Sequence, residues 1–165
     1  MRDLFHTELI ALLPRLRRFA LGLTAEPSEA DDLVQAACER ALTRCELWRP
    51  GTRLDSWMFR ITQNIWIDRL RAKGPITELD TEQWEQLPGQ DWQQGFEAKL
   101  QLQQVLTALQ QLPPTMRTVL TLVCIDGMSY QDAASTLELP IGTVMSRLAR
   151  ARATLHSILG ETHVE

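Results

Sequence analysis

The chain is poor in the residues that build several common protein classes. Its 165 residues include three cysteines, Cys38, Cys45 and Cys124, with no CxxC pair among them. An odd, scattered set of thiols in helix-like stretches points to reduced cysteines in a cytoplasmic protein, not to a disulfide framework. Zinc is not expected, because His6, His156 and His163 lie far from these cysteines. No apolar run approaches the ~20 residues that cross a bilayer. The N-terminus, MRDLFHTELIALLPRLRRFA, carries charge throughout and reads as neither signal peptide nor anchor, so direct membrane insertion is not expected. Enzymatic signatures are missing too: no glycine-rich phosphate loop, no paired carboxylates, no nucleophile with a plausible base. No catalytic residue, cofactor or metal is therefore expected.

Two further absences are local. The whole chain has a formal charge of −4, yet no carboxylate occurs from Leu139 to Gly160. Residues 74 to 98 show the opposite bias, with six Asp and Glu and no Lys or Arg. Alternation with period two is absent over any useful length, which argues against strands.

What is present is helical periodicity. Hydrophobic residues make up 44% of the chain, enough for packed cores. Leu9, Leu12, Leu13, Leu16, Phe19, Ala20 and Leu23 follow the i, i+3, i+4, i+7 spacing of one apolar stripe. Ser28 followed by Asp31 looks like a capping box, ahead of a second stripe of Ala30, Leu33, Val34, Ala37, Cys38 and Ala41. Thr52 and Asp55 repeat the signal before Leu54, Trp57, Met58, Ile61 and Ile65, and Gly74-Pro75 ends that segment. The acidic stretch beyond it is rich in Gly, Pro and Gln and reads as a connector, although Trp84 and Trp92 suit docking better than free solvation. The fold class is therefore all-α: two small helical domains, 1–73 and 97–165, joined by an acidic linker over 74–96.

The second part reads as one helix stopped by Pro113-Pro114, another ending near Gly127, a short helix capped by Ser129 with Asp132, and a longer one after Pro140. In the last, Val144, Leu148, Ala151 and Leu155 share an arc, while Thr143, Arg147, Arg150 and Thr154 share another. A short helix, a tight turn and a longer helix with one buried stripe and one cationic face form a helix-turn-helix pattern. A carboxylate there would repel phosphates, whereas guanidinium groups pair with them or read guanine edges. A solvated helix whose arginines serve only solubility remains the plainer alternative.

The string LPPTMRTVLTLVCIDGMSYQDAASTLELPIGTVMSRLARARATL resembles the promoter-binding domain of bacterial extracytoplasmic-function sigma factors. EADDLVQAACERAL and LDSWMFRITQNIWIDRLR resemble the signature helices of their N-terminal domain, so the resemblance covers nearly the whole chain. It implies an RNA polymerase sigma factor that directs promoter recognition, promoter melting and transcription initiation, responds to stress or a signal, and is held by an anti-sigma factor. Its implied partners are core RNA polymerase, through the beta-prime clamp helices and beta flap, and promoter DNA. By the same resemblance Asp31, Asp32, Leu33, Val34 and Gln35 would bind the clamp helices, with helix capping as the alternative for Asp31. Arg60, Asn64, Trp66, Asp68, Arg69 and Arg71 would address the minus-ten element. Trp57 lies on the apolar stripe and suits the core, whereas Trp66 falls off it and becomes a candidate for base stacking. Thr143, Met145, Ser146, Arg147, Ala149, Arg150 and Arg152 would face the minus-thirty-five element. Met145 stands where many relatives have Lys or Arg. Glu138 stands where relatives often have Gly, at a cost of about 1 kcal/mol if the site needs positive φ. The implied linker path lies through the polymerase cleft, where six carboxylates could mimic nucleic-acid charge or merely solubilise a tether. Two rivals are a solitary dimeric regulator of the LuxR type and an interaction module that no longer binds DNA.

Overall fold

The computed structural model describes residues 2–73 and 98–160, apart from the side chains of 98–101 and 160. Among these residues the chain is all-α, with seven helices and no strand. The acidic connector expected over 74–96 lies outside the described residues.

Helix α1 spans Arg2–Thr24 and passes through Pro14 without interruption. Proline removes one backbone donor, but Pro14 lies on the exposed side, where solvent can reach the freed carbonyl. Phe5, Leu9, Leu12, Leu16, Phe19, Ala20 and Leu23 are buried, as the spacing requires. Ala25, at φ 58°, ends the helix in a left-handed conformation, its N–H donating to the Leu21 carbonyl at 2.7 Å.

Helix α2 (Pro27–Thr43) starts differently from the expectation. Its N-cap is Glu26, whose carboxylate accepts from the backbone N–H groups of Ser28 and Glu29, with Pro27 at the first position. Ser28 donates its hydroxyl to the same carboxylate at 2.8 Å. That hydrogen bond first, then the two backbone donors, holds the Glu26 carboxyl below its ordinary pKa. Asp31 does not cap; it pairs with Arg17.

A 3₁₀ turn at Cys45–Leu47 leads to α3 (Leu54–Lys73). Thr52 does not cap α3, since its hydroxyl donates backwards to the Arg49 carbonyl at 2.6 Å. The packing of α1, α2 and α3 is centred on Phe19 and Phe59, edge to face at 5.0 Å, and on Phe5 against Trp48 and half-buried Trp57.

The second half contains α4 (Ala98–Gln110), α5 (Pro114–Leu120), α6 (Tyr130–Leu137) and α7 (Ile141–Gly160). Helix α5 runs on into a π turn, Thr121–Ile125, closed by the Asp126 N–H on the Thr121 carbonyl. Ser129 caps α6 through its hydroxyl and the Asp132 N–H at 3.0 Å, as expected. Glu138 does adopt positive φ, at 57°, closing α6 in the position glycine usually fills. Pro140 stands one residue ahead of α7, its carbonyl accepting from Val144. Val144, Leu148 and Ala151 are buried and Leu155 is half-buried.

The halves are packed on one another. Arg15 of α1 donates through Nε and Nη2 to the two carboxylate oxygens of Asp126, at 3.0 and 2.9 Å, while Nη2 also reaches Asp55. Arg53 pairs with Asp55 in its own half and Asp132 in the other. Arg117 of α5 donates to the Leu23 carbonyl at the end of α1, and to Gln110 and Leu112 in its own half. Burial pushes Arg117 down to about 10, the cost of holding a cation where no carboxylate compensates it.

Candidate polymerase and nucleic-acid interfaces

Three surfaces carry the residues singled out in the sequence. The first is the outer edge of α2. Asp31, Asp32 and Gln35 are exposed, Val34 is half-buried, and Leu33 is wholly buried in the core. Leu33 therefore fixes the helix, and its neighbours form the surface. The edge is not simply anionic: Asp31 pairs with Arg17, Asp32 with Arg69 at 2.9 Å, and Gln35 donates to Glu39. These are exposed pairs worth at most ~1 kcal/mol each, so a partner's basic groups could displace them cheaply.

The second surface is one face of α3. Asn64, Asp68 and Arg71 are exposed and stand at helical spacing from Arg60. Arg69, half-buried, turns toward Asp32 on α2. The groove between α2 and α3 also brings Arg40 and Arg44 close to Asp68 and Arg69. Sequence reasoning passed over those two arginines, although their i, i+4 spacing, Arg40 in the last turn of α2 and Arg44 at its C-cap, was a usable signal. Arg60 is engaged elsewhere. Its Nε donates to the Thr136 carbonyl at 2.9 Å and Nη2 to the Ser135 carbonyl at 3.0 Å, while Nη1 pairs with Glu138. A cation thus sits on the C-terminal carbonyls of α6, where the helix dipole favours it.

Trp66 is not the exposed stacking ring expected from its place off the apolar stripe. It is 5% exposed, and the Arg117 guanidinium lies 5.3 Å from its ring centroid. The ring does meet a planar cation, but one from its own chain.

The third surface is the outer face of α7. Met145, Ser146, Ala149 and Arg150 are exposed, with Thr143 and Arg147 half-buried at their flank. No carboxylate shares the helix. Arg152 is exposed but lies beside Cys124, with Nη2 3.7 Å from Sγ. That contact first, and Tyr130 second, raises its pKa. An α-helix presenting short and cationic side chains outward, pinned from behind by Val144, Leu148 and Ala151, has the shape and charge to enter a DNA major groove.

Comparison with known proteins agrees with this geometry. Residues 9–75 match the family model Sigma-70 region 2, and residues 102–155 match Sigma-70, region 4. The ECF RNA polymerase sigma factor EcfG of Rhodopseudomonas palustris (strain TIE-1) is 34% identical over 160 residues, spanning 96% of this chain and 87% of that protein. The sigma factor RpoE of Bartonella quintana, solved in complex with the anti-sigma factor NepR, superposes with a TM-score of 0.75 at 30% identity. That match covers 97% of this chain and 98% of the other. CnrH, solved in complex with the cytosolic domain of CnrY, gives 0.73 at 25% identity over 98% and 90% of the two chains. Among the described residues no helix is long and apolar enough to cross a membrane. Sigma factors have no catalytic activity of their own and serve transcription initiation. On these matches, and on an architecture of two helical halves ending in a helix-turn-helix, the chain belongs to the extracytoplasmic-function sigma factors, with sigma-70 regions 2 and 4.

Proposed function

We propose that this sigma factor divides its work among the three surfaces, within two domains over 1–73 and 97–165 joined by the acidic connector. The exposed edge of α2, Asp31, Asp32 and Gln35 with Val34 beside them, docks on the polymerase clamp helices. The α3 face, Arg60, Asn64, Asp68 and Arg71 with Arg69 at its side, holds the minus-ten element as it melts. The outer face of α7 reads the minus-thirty-five element: Arg147, Arg150 and Arg152 take phosphates, and Met145, Ser146 and Ala149 lie against base edges. Thr143 lies near the start of that helix. Trp66 enters this scheme only if the halves part.

The observation that carries the reading is the outer face of α7, exposed and free of acid in a chain of net charge −4. Met145 cannot make the bidentate guanine contact that Lys or Arg would offer, so specificity at that position rests on shape and apolar contact. The Bartonella quintana relative was captured with an anti-sigma factor and CnrH with the cytosolic domain of CnrY, and this chain aligns with both along nearly its full length. That supports an anti-sigma factor as a partner here, gripping both halves together.

The test is transcription in vitro with purified, sigma-free polymerase on fragmented host DNA. Wild-type chain is expected to produce start sites preceded by a shared bipartite element. Asp32→Arg, which leaves the core untouched, is expected to stop co-purification with polymerase. Absence of any start site would refute the proposal, and normal co-purification of that variant would remove α2's role.

A further inference from the structure

Two large apolar side chains at the start of α7 stay exposed: Ile141, at 48%, and Met145, at 50%. They stand four residues apart, so about 40° separates them around the helix axis and about 6 Å along it. Both look out from one side of the helix, between the buried stripe of Val144, Leu148 and Ala151 and the outward face of Ser146, Ala149 and Arg150. Neither joins the apolar core. A single exposed isoleucine or methionine needs no explanation, since much of any protein surface is apolar. Their pairing and their place do.

The place is where a recognition helix meets bases. In helix-turn-helix docking the N-terminal residues of the second helix reach base edges in the major groove. Gly142 leaves that end bare. A Cβ built there would meet nothing within 4 Å, so no packing inside the chain demands glycine, whereas close approach to a ligand does. No carboxylate lies on α7, and Arg150 and Arg152 are exposed beyond Met145. Such surroundings suit a polyanion better than the apolar patch of another protein. In the major groove the one apolar group that a base edge presents is the 5-methyl of thymine. Side chains about 6 Å apart along the helix span roughly two base-pair steps of ~3.4 Å each.

We propose that Ile141 and Met145 together read thymine, their side chains lying against the 5-methyl groups of two A·T pairs no more than two steps apart in the minus-thirty-five element. The proposal rests on the assignment of α7 to that element. It makes Ile141 a specificity-determining residue beside Met145. A methionine at 145 then does more than forgo a guanine contact: it changes which base pair is favoured.

Replacing thymine by uracil removes the methyl group and nothing else. The probe is a promoter duplex recovered from the transcription experiment, with deoxyuridine substituted for one thymidine at a time on either strand of the minus-thirty-five element. Its affinity is measured for polymerase loaded with the full chain. Wild type is expected to bind about fourfold more weakly at each of two nearby substitutions, the weight of one methyl-sized group returned to water, and to ignore the others. Ile141→Ala is expected to erase the loss at one of these positions and Met145→Ala at the other. Both sites are exposed and alanine suits a helix, so the fold should hold. The uracil scan of the wild type decides by itself if a variant does not fold. Indifference to every uracil, an element without an A·T pair, or a uracil effect that survives both substitutions overturns the proposal. Alanine variants that lose polymerase on every duplex, with no uracil effect in the wild type, assign the pair to polymerase and overturn it likewise. If scrambling the whole element leaves affinity unchanged, the assignment of α7 to minus-thirty-five DNA falls as well.

Discussion

Replacing Arg117 by methionine sets two large opposing effects against each other, and the structure indicates which prevails. Methionine keeps much of the apolar stem but removes the guanidinium. Lost are hydrogen bonds to the carbonyls of Leu23, Gln110 and Leu112, at 2.7 to 2.9 Å, and the stacking on Trp66. Hydrogen bonds from a charged donor contribute roughly 1.5–3 kcal/mol each, and a cation–π contact of this kind about 1–2 kcal/mol. Against them stands the burial of the charge. The fall of Arg117 from 12.5 to about 10 corresponds to roughly 3 kcal/mol at 1.36 kcal/mol per unit. The favourable terms exceed that even at their lower ends, leaving a net loss of at least about 2 kcal/mol for Arg117→Met. Urea unfolding followed by circular dichroism should show the midpoint falling by about 1 M or more, given slopes of ~1–3 kcal/mol/M. Thermal unfolding should fall by about 4–10 °C. A variant as stable as wild type, or more stable, would mean that desolvation outweighs the three hydrogen bonds, and the reasoning would fail.

Other substitutions have separable outcomes. Glu138→Gly relieves about 1 kcal/mol of left-handed strain and gives up an exposed ion pair with Arg60 worth at most that much. The melting temperature should therefore stay level or rise by ~1–2 °C, and a fall beyond about 4 °C would show that the pair dominates. Asp55 is buried enough for desolvation to push its carboxyl up, but hydrogen bonds from Arg53, the Ser56 N–H and Arg15 outweigh this and lower it. A lowered carboxylate contributes stability above its unfolded pKa of ~3.9 and loses it as pH falls through the folded value. Asp55→Asn should thus be less stable than wild type at pH 7, with the gap closing as unfolding is repeated below about pH 4; a gap that persists there would refute the linkage. Arg150→Ala should make the salt slope of minus-thirty-five duplex binding shallower by about one unit, and an unchanged slope would exclude phosphate anchoring.

The apolar stripes were legible because burial repeats with the helical period, and the order of the helices followed from them. Ser129 was legible as a cap because serine rarely has another reason to precede a short helix. Glu26 was not, because glutamate is an uncommon N-cap and Ser28 with Asp31 imitates a better-known pattern two residues on. The positive φ at Glu138 could be anticipated only through the family resemblance. Trp66 was misplaced for a different reason. Its position off the stripe is real, but its cover is Arg117, far along the chain, and local periodicity carries no information about such a partner. The pairing of Arg15 with Asp126 was invisible on the same ground. Gly22, where a Cβ would come within 2.6 Å of Thr121 in the other half, offered a hint as a glycine within an apolar helical run with no turn to make. On the outer face of α7 the absence of acid was readable at once, because electrostatics needs only composition.

The π turn at Thr121–Ile125 has a geometric consequence of its own. The turn takes up one additional residue without breaking the rod; wound as ordinary α-helix, the same residues would carry everything that follows about 100° further round the axis, the rotation each residue makes there. Asp126 comes directly after it and points at Arg15. Ordinary winding of the same number of residues would swing the carboxylate by that angle, away from Arg15. The embrace of the two halves would then lose its bidentate clasp, although every side chain was retained.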